Sequence, residues 1–375
     1  KFQSKKVSID ENVFINETKI STQNAFGKIL DQYAKNNTDF SRRILTTSPD
    51  VSVSTNLGPW INRKGLFSRK DGSDTFKDRK IPSAQKWIFS SQGQHIELGI
   101  AEMNLFLMLG AAGLSHEFFG ERLFPIGTVY DPFISRGLDA MNYACYQDAR
   151  FMIVGTPSGI SLAPEGGAHQ SIATPLIGIS QPGLLSFEPA FADELALIMN
   201  YGFNYLQDES GGSIYLRLTT RSIDQPMREI DNELKNNIIK GAYWLKKPGP
   251  NPEVIIVYQG AVASEAIEST ALLGEKFKNS GVLSITSSDK LFHEWKNQNS
   301  TSHIELLLEC VPRDTRIITV IDGHPMTLSW IGSIYGHKTI PLGVSSFGQT
   351  GKVEDLFKEF TIDSQSISNL GFSIN

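Results

Sequence analysis

The chain has 375 residues, a length that points to two domains rather than one. Apolar residues make up 40% and charged residues 20%, as in ordinary well-packed globular proteins, and a formal net charge of −5 leaves no basic footprint for nucleic acid. No apolar run reaches the roughly 18 residues of a membrane span, and Glu102 interrupts the longest candidate. Cys145 and Cys310 lie far apart without metal-ligand spacing, which fits a reducing, cytoplasmic setting. The chain starts at Lys1 and its first residues form no apolar leader, so a fragment, a processed chain or a trimmed one is expected.

Residues 1–20 alternate weakly between polar and apolar and predict an extended arm. The run STQNAFGKILDQY places Ala25, Ile29 and Leu30 at helical spacing, with Ser21 or Thr22 as the cap. RRILTTSPD predicts a short buried strand that ends at Pro49. Residues 51–80, rich in Gly, Ser, Asn, Lys and Asp, predict a surface loop. GQHIELGI reads as a strand and turn, and AEMNLFLMLGAAGL as a helix apolar on nearly all sides and therefore buried. PIGTVYDPF leads to a helix over about 134–148, RFMIVGTPS is a buried strand, GLLSFEPA leads to a helix over about 192–205, and SIYLRLTT is a further strand.

This alternation is the parallel α/β signature. The polar, proline-dotted stretch 221–250 reads as a linker. The rhythm then restarts with EVIIVYQG, a helix through AVASEAIESTALLGEKF, the strands VLSITSS and RIITVIDG, and a short strand at Ile340. The expected class is α/β, with two parallel-sheet, three-layer domains over 21–220 and 251–375.

Three features carry candidate chemistry. Glu102 opens the apolar helix after the turn Gly99-Ile100-Ala101. It either caps helix N–H groups or shares a proton with a ring nitrogen of a bound cofactor. Tyr130 and Phe133 stand three apart, so they either sandwich a flat heteroaromatic ring or pack in the core. His169 follows Gly166-Gly167 in APEGGAHQS, where a sharp turn lets it point into a cleft and exchange a proton, or leaves it structural. His324, between Gly323 and Pro325, is either a turn residue or a site residue. His95, His116 and His337 read as surface or local hydrogen-bonding residues. His293 and His303 show no ligand spacing, and no protein-built metal site is expected.

As a group these motifs resemble the pyrimidine-binding and C-terminal domains of transketolase-like thiamine diphosphate enzymes. ELGIAEMN resembles the motif whose glutamate touches the cofactor's pyrimidine nitrogen, which implies that role for Glu102. TVYDPF resembles the aromatic region around the pyrimidine, with Tyr130 and Phe133 as its rings. Asp50, in TTSPDVSVSTN, matches an aspartate near the same dimer cleft, and PEGGAHQS places His169 at a substrate-facing histidine. DGHPMTLSWIG and PLGVSSFGQTGKVEDLF resemble the C-terminal domain shared by transketolases and 2-oxoacid dehydrogenase E1 components. SFEPAFADELALIM and FGQTGKVEDLF are similar to the E1 group of pyruvate dehydrogenases with all domains in one long subunit. The resemblance spans nearly all of residues 20–370.

The resemblance implies thiamine diphosphate as cofactor, decarboxylation of a 2-oxoacid such as pyruvate, and transfer of the remaining group to a lipoyl-bearing E2. It implies a homodimer, and puts His324 near the active-site entrance or the domain interface. Thr220-Arg221 instead resembles a transketolase segment in which an arginine meets a sugar phosphate, which keeps transketolase as the alternative. Such enzymes hold the diphosphate and Mg2+ through a Gly-Asp-Gly segment, which is missing here; Lys70-Asp71-Gly72 is a poor substitute. The diphosphate module is therefore expected on a longer parent chain or a separate subunit. A catalytically silent assembly subunit is the third reading.

Overall fold

The computed structural model describes residues 5–11, 13–70, 78–82, 87–297 and 299–373. Asp71 and Gly72 lie outside them. In the first domain the strands are β1 (Lys19–Ile20), β2 (Ile44–Ser48), β3 (Leu66–Phe67), β4 (Phe89–Ser90), β5 (His95–Glu97), β6 (Phe124–Val129), β7 (Met152–Gly155), β8 (Leu184–Phe187), β9 (Ser213–Arg217) and β10 (Ile223–Asp224). Eight of them form one parallel sheet in the order β4-β3-β5-β2-β6-β7-β9-β8. The central strands β6, β7 and β9 are buried along their whole length, because helices cover both faces.

The second domain has β11 (Ala242–Lys246), β12 (Val254–Gln259), β13 (Gly281–Ile285), β14 (Arg316–Ile321) and β15 (Thr339–Leu342), in the order β11-β13-β12-β14-β15. This sheet is parallel except at β11, which pairs antiparallel with β13. The expected architecture of two α/β parallel-sheet domains is thus present, with one antiparallel edge strand added.

Three local expectations are corrected. Residues 51–80 are not all surface loop: Gly58–Lys64 is a helix with Pro59 in its first turn, and Leu57, Trp60 and Ile61 are fully buried. Polar composition masked three apolar anchors there. The stretch 221–250 is more than a linker. Its β10 pairs with β1 of the arm, Asn232–Lys240 is helical, and β11 already belongs to the second sheet. The helix Glu102–Gly113 is apolar all round yet buried on one side only, since Met103 and Leu107 are 41% and 58% exposed.

The arm itself is fastened down. Val7, Ile9, Val13 and Ile20 are buried, and the Gln207 amide clasps the Val7 backbone through two 2.9 Å hydrogen bonds. The helix Thr22–Asn36 begins where Ser21 accepts the Asn24 N–H, and ends at Asn37 in the left-handed region. The two domains share apolar packing: Ile160, Ala163 and Phe191 lie in one cluster with Ile256, Tyr258 and Val320.

Because β2, β5, β6 and β7 run parallel, their carboxyl ends make one rim of the sheet. Asp50, Ile100, Tyr130 and the segment that leads to His169 all follow those ends. This is where open α/β sheets place their ligands.

Candidate active site

Glu102 is the first residue of its helix, entered through Gly99 at φ 67° and a non-helical Ala101. The helix N-terminus attracts its carboxylate. Glu102 is 9% exposed and pairs with the Arg136 guanidinium. The residue is thus an acid at a helix start, bonded to a charged partner rather than to helix N–H groups.

Tyr130 and Phe133 lie next to this pair. The turn Asp131–Gly137 is a 3-10 helix, in which residues three apart eclipse one another. Their rings stack 14° from parallel with centroids 5.9 Å apart. A ring inserted between them would need about 7 Å, two aromatic contact distances of about 3.5 Å. The pair therefore forms one wall and does not sandwich a third ring. His169 meets the edge of that wall, 5.4 Å from Phe133 at 64°.

His169 is partly buried, and its Nδ1 is enclosed without a hydrogen-bond partner. Gly166 takes φ 96°, and a Cβ on Gly167 would lie 2.0 Å from the Gly348 carbonyl oxygen. The turn before the histidine thus depends on both glycines. The second domain holds this loop: Gln170 donates to the Gln349 carbonyl at 3.1 Å, and the Gly351 N–H to Ala163 at 3.2 Å. Gly167→Ala is expected to shift the loop, with a stability loss of roughly 1–3 kcal/mol. Denaturant midpoints check this.

The structure brings Glu102, Tyr130, Phe133 and His169 together. Asp50 follows β2 at φ 65° with an exposed side chain, and its N–H donates to Glu97 at 2.8 Å. His324 donates its backbone N–H to Ile172, at the domain boundary and three residues beyond His169. Arg221 is engaged elsewhere. Both of its terminal nitrogens bind Glu265, one also donates to the Ala261 carbonyl, and the guanidinium lies 4.7 Å from the Phe357 ring centroid. It ties the two domains together and does not reach the cluster around Glu102.

Residues 8–226 match the family described as pyruvate dehydrogenase E1 component middle domain, and residues 241–363 match the transketolase-like C-terminal domain. The chain belongs to the pyruvate dehydrogenase E1 middle-domain family. It is 24% identical over 365 residues to the pyruvate dehydrogenase E1 component of Escherichia coli K12, which covers 93% of this chain and 40% of that protein. The E1 component of Mycolicibacterium smegmatis is 28% identical over 260 residues, 67% of this chain and 28% of that protein. The chain thus spans well under half the length of these relatives. Transketolase from Leishmania mexicana superposes with a TM-score of 0.75 at 18% identity, covering 97% of this chain and 46% of that one. A solved chain titled split gene transketolase, inactive beta4 tetramer, gives a TM-score of 0.63 at 18% identity, with 93% of this chain and 96% of that one covered. These two structures share the fold of this E1-family chain.

Of the charged groups beneath the ring wall, the sequence points to Glu188, the acid before a proline in FEPAF, and leaves Asp131, Arg217 and Asp322 unmarked. Asp131 is fully buried and accepts hydrogen bonds from Ser171, Thr174, Tyr215 and Arg217. Arg217 also donates to Glu188 at 2.5 Å and to Ser171 at 3.1 Å. Glu188 accepts from Gln259 of the second domain at 2.9 Å, and Asp322 accepts the Ile160 N–H at 2.9 Å. Asp131 therefore pins the aromatic turn to the Ser171 end of the His169 loop. A further signal was a charge inside an otherwise apolar strand end, as at Arg217 in SIYLRLTT.

Burial pushes the Glu188 carboxyl up to about 7 despite Arg217 and Gln259, and the Asp322 carboxyl up to about 6 despite Arg217. Such acids bind protons more tightly in the folded than in the unfolded chain. Their contribution is present at low pH and lost as pH rises, from 3.8 to about 6 for Asp322 and from 4.5 to about 7 for Glu188. Glu188→Gln is expected to flatten the fall in stability across the latter window, as read by denaturant melts at several pH values.

Glu97, at the end of β5, behaves oppositely. Burial alone would raise Glu97, but hydrogen bonds from His95, Ser52 and the Asp50 N–H outweigh it and hold the carboxyl below its usual range. Of the two readings for His95, the hydrogen-bonding one holds and the surface one does not: it is fully buried, its ring nitrogens 2.9 Å from Thr46 Oγ1 and 3.0 Å from Ser52 Oγ.

Proposed function

We propose that this chain forms part of a thiamine diphosphate-dependent 2-oxoacid dehydrogenase E1 component, which decarboxylates pyruvate and passes the acyl group to a lipoyl-bearing E2. The observation that carries the reading is a mostly buried carboxylate at a helix start, beside a stacked aromatic wall and an unpartnered imidazole nitrogen. These groups fit a flat, nitrogen-bearing ring laid against the wall. When bound, the cofactor supplies carbanion stabilisation. Glu102 would hold a proton at the pyrimidine nitrogen through a carboxylate oxygen. Tyr130 and Phe133 would give the ring an apolar surface and exclude water. His169 would orient the substrate and move a proton at Nδ1.

Among the described residues, no three His, Cys, Asp or Glu side chains converge as a metal would require. The reading assigns the diphosphate and Mg2+ to a further domain or subunit, in keeping with the 40% share of the E. coli relative that this chain spans. A homodimer is part of the same reading. Ile100, Met103, Leu107, Phe119 and Tyr146 are exposed on and around the helix that starts at Glu102, a patch that a second copy would cover. Among the described residues no helix is long and apolar enough to cross a membrane, and both cysteines are free, which supports a reducing, cytoplasmic setting.

Transketolase activity is the second reading, and a silent assembly subunit the third. The match in extent to the split gene transketolase chain, whose tetramer is described as inactive, favours the third. The engagement of Arg221 by Glu265 weighs against a sugar-phosphate role for that arginine. A turnover assay of the chain together with its diphosphate-binding module, on pyruvate and on a ketose phosphate, tests all three. Use of pyruvate alone supports the E1 reading, use of the sugar alone replaces it, and use of neither favours the silent subunit.

A further inference from the structure

Arg136 lies in the same 3-10 turn as Phe133, three residues after it and six after Tyr130, which stands just before the turn. Because residues three apart eclipse in such a turn, the three side chains form a column. Tyr130 stacks on Phe133, and the Arg136 guanidinium carbon lies 3.6 Å from the Phe133 ring centroid. A guanidinium is flat, so it can lie on a ring through its face and donate N–H groups from its edge. Here that edge meets Glu102: Nη1 donates to Oε1. Among the described residues Arg136 is the one side chain that bonds this carboxylate.

An ordinary exposed ion pair would contribute little, because two flexible chains must be held in one geometry. This pair differs in being held at both ends. Glu102 is fixed by its helix start and by burial, and Arg136 by the ring beneath it. The arginine takes one oxygen and leaves the other free.

We propose that Arg136 is a positioning residue: it clamps Oε1 of Glu102 against the aromatic column, so that Oε2 is the oxygen presented to the ring nitrogen of the bound cofactor. The assignment rests on the cofactor reading above. It adds that the acid and the wall are one mechanical unit, set by a single turn.

The test is a double-mutant cycle on the complete enzyme with its diphosphate-binding module, using Glu102→Gln, Arg136→Gln and the pair. The readouts are the thiamine diphosphate dissociation constant by calorimetry, and kcat. Arg136→Gln is expected to weaken cofactor binding about tenfold, and to have no further effect once Glu102 is Gln. A merely structural ion pair would show its coupling in the melting temperatures of the same variants, since sites in contact do not act independently, and would leave cofactor binding unchanged. Multiplying effects, or unchanged binding in Arg136→Gln, would overturn the proposal while leaving the cofactor reading intact. Unchanged binding and turnover in Glu102→Gln would instead overturn both. Arg136 is half exposed, so the variant should fold. If it does not, the same cycle is run with Arg136→Lys, which keeps the charge and loses the flat fork.

Discussion

Replacing Arg217 with methionine is expected to cost about 3–5 kcal/mol of stability, the usual loss when a buried charge pair loses one partner. Arg217 is 2% exposed and donates at once to Asp131, Glu188 and Ser171. Methionine fills a similar volume but leaves two carboxylates in the interior without their cation. Such a loss is a large part of the 5–15 kcal/mol that holds a typical domain folded. Denaturant melts near neutral pH provide the measurement. A change below about 1 kcal/mol would mean that water or proton uptake relieves the acids, and the network would then not govern stability.

The largest expected effect on activity belongs to Glu102→Gln. In the complete enzyme kcat should fall by roughly 10²–10³-fold, the range seen when a group that stabilises developing charge is lost. The substitution keeps shape and hydrogen-bonding capacity but removes the charge that faces Arg136. The fold should therefore survive, and circular dichroism and melting temperature should stay close to those of the parent. Normal kcat in a folded Glu102→Gln enzyme would remove Glu102 from the mechanism.

Much of this architecture could be read from the chain. Strands such as Met152–Gly155 and Val254–Gln259 are unbroken apolar runs, as sheets covered on both faces require. The grouping of Glu102, Tyr130, Phe133 and His169 came from the resemblance of their motifs to transketolase-like enzymes; residue type and spacing alone left each with a structural alternative. What escaped were pairings between distant positions. Arg136 is an unremarkable charge until the 3-10 turn lines it up with two rings. Arg217, inside a buried strand, gave no hint of which acids would surround it. Arg221 suggested a phosphate ligand because sequence alone cannot show that Glu265 and Ala261 occupy its donors. Trp60 went unseen because polar neighbours outweigh one indole in any average over a window.

The apolar cluster that holds Ile160, Ala163 and Phe191 against Ile256, Tyr258 and Val320 has a practical consequence for engineering. Each half of this chain has apolar clusters of its own, but this one draws on both. Cutting near residue 230 would strip the covering from both pieces, and leave oily faces prone to clump. A chimera with a relative would have to import the matching surface as well as the sheet it grafts.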